Sequence, residues 1–223
     1  MRLQTRNPRR TMRRSLLLVL GLMAPQAAGV PAAPGPPALT LDALLEKFRR
    51  MPGLEARFRE ERRIALLAAP LVTEGTIHFA PPARLARHTS GPALSSVVVD
   101  GRRLSFGDAA TREDLDLDAN PVLRDYVNSF LQILEGDREG LVSSWRIGIA
   151  GRDEQWEMKL QPLSEPVRRT IREMTLKGGG TVVRWMKIAE TTGDETVTEF
   201  FEVNPSRRYT QDEIDRLFRI QPR

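Results

Sequence analysis

Few side chains in this 223-residue chain could do chemistry. It holds two histidines, His78 and His88, and no cysteine, which excludes disulfides, thiolate metal sites and cysteine nucleophiles. A zinc site would need further ligands at defined spacing beside the histidines. None is evident, so no metal is expected. Acid pairs such as Glu60 with Glu61, or Asp114 with Asp116 and Asp118, have the chemistry of general acids and bases. The run Asp114 to Asp118 begins like a calcium loop but lacks its glycine and terminal glutamate, so a solvated polar loop is expected. Gly178-Gly179-Gly180 has no helix behind it to cradle a phosphate and reads as a turn. No nucleophile elbow or Walker loop occurs. No catalytic constellation emerges, so the chain is expected to need no cofactor and not to be an enzyme.

The formal charge of +5 does not point to nucleic acid, because of where it sits. Six of the 34 basic residues lie within residues 1–30, which contain no acid; the other 28 face 29 acidic residues. The body is therefore near neutral and lacks the broad positive field that phosphate binding requires. The same six arginines precede a ten-residue apolar run, Ser15 to Ala24, and then the small residues Ala27, Ala28 and Gly29. Basic start, short apolar centre and small-residue exit compose a secretory signal peptide over 1–30, too short in its apolar part for a permanent span. A Pro/Ala-rich linker over 31–39 and one domain over 40–223 follow, expected in the periplasm.

The elements of that domain follow from its periodicities. Thr40 to Met51 predicts a helix, with Thr40 as cap and Leu41, Leu44, Leu45 and Phe48 on one face. Alternating runs around Ala56–Glu61, Gly75–Phe79 and Leu85–Arg87 predict strands. Val97-Val98-Val99, Asp100-Gly101 and Leu104-Ser105-Phe106 predict a hairpin with a type I′ turn. Asn120 to Leu134 predicts a second helix, with Asn120 as cap, Pro121 at its first position and Gly136 beyond its end. A short helix near Glu139–Ser144 and strands led by Trp145, Trp156, Ile171, Val182 and Val197 come next. A capped helix over Thr210–Ile220 closes the chain. Strands joined by tight turns make an antiparallel sheet, not βαβ units.

Three stretches together resemble a known family: Leu54-Glu55-Ala56-Arg57-Phe58-Arg59-Glu60; Glu74-Gly75-Thr76-Ile77-His78-Phe79-Ala80-Pro81-Pro82; and Val97-Val98-Val99-Asp100-Gly101-Arg102-Arg103-Leu104-Ser105-Phe106. Their order and spacing are similar to those of LolA, the periplasmic carrier of outer-membrane lipoproteins, across most of the chain after about residue 40. The resemblance implies a mainly β fold: an unclosed antiparallel half-barrel with helices as a lid over an apolar cavity. It implies a soluble, monomeric carrier of a lipoprotein or other acylated lipid. Partners would be an inner-membrane transporter and an outer-membrane acceptor, with only transient membrane contact and no nucleic acid. A lipoprotein-sensing module of an envelope regulator, or a periplasmic hydrolase, would be the alternatives.

The resemblance is that of a divergent relative: Pro81 stands where the family has a lid-latching arginine, Glu60 where it has glutamine, and Ser105 or Phe106 and Asp108 where it has tryptophan and tyrosine. The residues expected to line the cavity are Phe58, Ile77, Phe79, Leu85, Val97, Val99, Leu104, Phe106, Trp156, Met158, Leu160, Val183 and Trp185. Tyr126, Val127, Phe130 and Leu134 are expected on the lid. A one-residue error in register would exchange the whole strand set.

Overall fold

The computed structural model describes residues 38–108 and 110–220. The expected signal peptide and all of the linker except Ala38 and Leu39 lie outside these residues. Helix α1 (Leu41–Arg49) starts at Thr40, whose side chain accepts a hydrogen bond from the Ala43 amide. Six strands follow: β1 (Leu54–Arg63), β2 (Leu71–Ala80), β3 (Arg84–Gly91), β4 (Ser95–Asp100), β5 (Arg103–Gly107) and β6 (Arg112–Asp116). Helices α2 (Pro121–Glu135) and α3 (Arg138–Ser144) come next, then β7 (Trp145–Arg152), β8 (Gln155–Pro162) and the single turn α4 (Glu165–Arg168). Strands β9 (Ile171–Gly179), β10 (Val182–Glu190) and β11 (Glu195–Asn204) precede the last helix, α5 (Gln211–Leu217).

All eleven strands form one antiparallel sheet in the order β6-β5-β4-β3-β2-β1-β11-β10-β9-β8-β7. The two halves of the chain join where β1 pairs with β11, and β6 and β7 remain as edges, so the sheet does not close. Two local expectations change. Asp114 to Asp116 belong to the exposed edge strand β6, not to a loop, because Ser105 and Leu104 of β5 pair with them. In the β4–β5 hairpin Asp100 pairs with Arg103, leaving Gly101 and Arg102 as the loop. Only Gly101 has positive φ, which is the type II′ pattern and not type I′.

One face of the sheet packs on α1 to α4. Leu44, Leu45 and Phe48, Val127, Leu131, Ile133 and Leu134, Leu141, and Val167 join Phe79, Leu104, Trp145, Trp156, Met158 and Leu160 in one buried cluster. Gly136 ends α2 with φ of +65°, and a Cβ there would collide with the Leu45 carbonyl oxygen of α1. Gly136→Ala should therefore cost about 1–3 kcal/mol, read as a lower urea midpoint at unchanged slope. The C-terminal end of α2 is tied down twice more. The Arg49 guanidinium donates to the Gly136 carbonyl at 2.8 Å, and the Ala83 amide donates to Glu135 Oε1 at 2.6 Å.

Helix α5 and the segment before it lie on the opposite face. The Glu213 carboxylate and the Thr210 hydroxyl form a reciprocal capping box that starts the helix. Both histidines are held beneath it in their neutral forms. The Leu217 carbonyl only accepts, so His88 Nε2 donates to it at 2.7 Å and Nδ1 accepts from Ser96. The Tyr209 hydroxyl donates to the Leu54 carbonyl at 2.6 Å, so its oxygen accepts from His78 Nδ1, and Nε2 accepts from Thr76. Burial holds the His78 imidazole down at about 4, against the pull of Glu55 and with the help of His88 and Arg207; burial also lowers His88. A base depressed on folding gives stability that is fully present above its unfolded pKa and is lost as the unfolded chain alone takes up the proton. Melting temperature should accordingly fall between about pH 6.5 and about pH 4. His78→Gln should flatten that slope; an unchanged slope would remove His78 as its cause.

Candidate functional site

Between the concave face of the sheet and α2 lies a cavity of about 770 Å³. Its floor is set by period-2 alternation: Leu54, Ala56, Phe58, Glu60 and Arg62 of β1 all point into it. Ile77 of β2, Leu85 and Arg87 of β3, and Val97 and Val99 of β4 extend the floor on one side. Val203, Phe200, Thr198 and Thr196 of β11 and Val183, Met186, Ile188 and Glu190 of β10 extend it on the other. Leu123, Tyr126, Val127, Phe130, Ile133 and Leu134 of α2 form the roof, with Tyr126 and Phe130 edge to face at 5.1 Å.

Of the residues expected to line the cavity, the structure brings Phe58, Ile77, Leu85, Val97, Val99 and Val183 to its wall, with Tyr126, Val127, Phe130 and Leu134 above them. Phe79, Leu104, Trp156, Met158 and Leu160 point to the same side of the sheet but sit in the solid core. Trp156, for instance, is edge-on to Phe48 of α1 at 6.3 Å. Phe106 packs against that core from its margin, also outside the cavity wall. Trp185 points the other way. Gly178 pairs with Val183 but the next residue back, Lys177, pairs with Trp185, so β10 carries one extra residue there. Alternation restarts after this bulge, which puts Met186 and Ile188 inside and Trp185 outside, its ring 5.0 Å from the Lys177 ammonium.

The polar part of the wall was not among the expected residues, although the spacing Phe58, Glu60, Arg62 already placed two charges on the lining face. Arg87 reaches across β2 to Glu60, Nη2 to Oε1 at 2.9 Å, with both side chains about a quarter exposed. Its guanidinium lies 4.2 Å from the Phe58 ring centroid. Gly75 leaves this path open: a side chain there would meet the Phe58 ring and the His88 carbonyl. The other Glu60 oxygen accepts from the Thr198 hydroxyl at 3.1 Å. Arg62 pairs with Glu190 at 3.3 Å. The Tyr126 phenol sits in the field of all four charges, and burial pushes its pKa well above the ordinary value, so it stays protonated.

An unclosed antiparallel sheet wrapped around an apolar chamber and roofed by one amphipathic helix defines a class of binding proteins for apolar ligands. The chain belongs to the family described as outer membrane lipoprotein carrier protein LolA-like, whose model matches residues 32–201. Among solved structures it is similar to a LolA superfamily protein from Nitrosomonas europaea, at 10% identity over 79% of this chain and 97% of that one, with a TM-score of 0.43. It is also similar to the lipoprotein LppX from Mycobacterium tuberculosis, at 10% identity over 74% and 94%, with a TM-score of 0.37. The MucA/MucB complex of Pseudomonas aeruginosa gives 15% identity over 77% and 57%, with a TM-score of 0.46. A comparison with curated proteins found no match.

Proposed function

We propose that the protein is an exported periplasmic carrier that shields the acyl chains of a lipoprotein or another acylated lipid inside this cavity. The observation that carries the reading is the half-open, mainly apolar cavity of about 770 Å³ beneath α2, in a member of the LolA-like family. Each buried methylene contributes about 0.8 kcal/mol, so a single acyl chain supplies ample affinity. Without cargo the apolar stripe of α2 lines a half-open cavity; filled, the cargo covers that stripe and α2 is displaced outward. The C-terminal end of α2 is tied by Arg49 and Glu135, and the Ser164 hydroxyl donates to Asp125 nearer its start, so outward movement of the helix breaks these bonds. Glu135, bonded to the Ala83 amide just beyond Pro81, ties α2 to the turn between β2 and β3.

Release then needs an acceptor of higher affinity, an outer-membrane receptor, and loading a donor at the inner membrane. The arginine-rich start and apolar run of residues 1–24 support export. Among the described residues no helix is long and apolar enough to cross a membrane.

Native mass spectrometry with lipid extraction, on protein purified from the periplasm of its own host, tests the proposal. A co-purifying acylated molecule is the expected result. A clean unliganded mass, unchanged after added acylated lipids, would overturn it in favour of a partner-sensing module.

A further inference from the structure

The cavity wall carries two ion pairs where an apolar chamber needs none. Arg87, Glu60 and Glu190 are largely withdrawn from bulk water while Arg62 stays about half exposed, and a salt bridge so placed is weak evidence for stability. Arg87 with Glu60, and Arg62 with Glu190, line the same chamber as Phe58 and Val97 and face the Tyr126 phenol of the roof. Their charges match one for one. We propose that these pairs form a head-group subsite selective for acylated ligands whose polar end is uncharged, such as an ester, amide or hydroxyl, and against free carboxylates.

The proposal rests on the carrier reading and names its ligand class. A ligand carboxylate at either pair would lie beside the like charge of Glu60 or Glu190, and a guanidinium already paired one for one offers it no net positive charge. An uncharged head meets no such repulsion. Guanidinium N–H groups not used in the pairs donate to its carbonyl oxygens, and the carboxylate oxygens accept from its hydroxyl or amide. The Tyr126 hydroxyl serves in either role. Specificity of this kind comes from a penalty on the wrong ligand as much as from contacts to the right one.

The test is displacement of an apolar naphthylamine fluorophore from the whole protein at neutral pH by monolaurin and by laurate, which share one acyl chain. Monolaurin should act at a concentration about tenfold lower. Any apolar cavity disfavours a carboxylate somewhat, so the decisive readout is the ratio in Glu60→Gln. This change keeps the side-chain shape and frees the Arg87 charge, and laurate should draw level with monolaurin or pass it. Glu190→Gln, freeing Arg62, is the second variant and should shift the ratio the same way. Laurate preferred by the unaltered protein, or a ratio unmoved in both variants, would overturn the subsite while leaving the carrier reading intact. Fluorophore that binds neither protein nor variants, with no effect of either lipid, would overturn both.

Discussion

Trp156→Ala should lower folding stability by about 3–5 kcal/mol without acting on the ligand directly. The indole is 2% exposed, meets Phe48 of α1 edge-on, and donates from Nε1 to the Gly180 carbonyl at 3.0 Å. Gly178, paired opposite it on β9, has no side chain, and the indole fills that space. No neighbour can collapse into the volume left behind, because the adjoining Met158 and Leu160 are themselves fully buried. Urea denaturation gives the loss as a shifted midpoint. An unshifted midpoint would contradict the packing described. Ligand retention, measured below the new midpoint, should match that of the unaltered protein, whereas a cavity-lining tryptophan would have lost it.

Val97→Trp should do the reverse. Val97 stands on β4 between Arg87 of β3 and Phe106 of β5 and opens onto the cavity. An indole there enters empty space, not a filled core, so the overpacking cost of a core enlargement is avoided. Acyl ligand should be held at least about tenfold more weakly, with melting temperature little changed, and Val97→Ala should keep binding. Co-purified lipid measured for the three proteins separates the outcomes. Full retention by Val97→Trp would place the acyl chain elsewhere.

Much of this architecture is legible in the residues alone. Asn120, Pro121 and Gly136 bracket α2 because cap chemistry is local, and the apolar stripe between them fixes its buried face. The strands around Phe58, Ile77 and Val97 follow from strict alternation. The errors have two physical sources. Alternation tells which side of a sheet a residue faces but not what covers that side. Trp156, Met158 and Leu160 therefore looked like cavity wall although α1 and its neighbours fill the space above them. A bulge is invisible to a period-2 pattern, and the extra residue in β10 turned Trp185 outward. Strand β6 escaped notice because Arg112-Glu113-Asp114-Leu115-Asp116 is exposed throughout and carries no buried face to read. Glu60 and Arg87 share the lining face with apolar residues, and a pattern of apolar alternation does not mark the charges within it.

The unpaired margins of the sheet bear on how much the chamber can hold. In a closed barrel, a larger girth means breaking and re-forming a whole ladder of hydrogen bonds. Here no strand pairing joins β6 to β7, so the two wings can splay like the covers of a book while every interstrand bond survives. Backbone rows left bare at such margins would ordinarily recruit other chains. The four charged residues of the five in β6 blunt one of them, and the Leu39 amide, donating to the Gly151 carbonyl at 3.1 Å, covers part of the other. Incomplete closure thus leaves the girth of the sheet adjustable without the loss of an interstrand hydrogen bond.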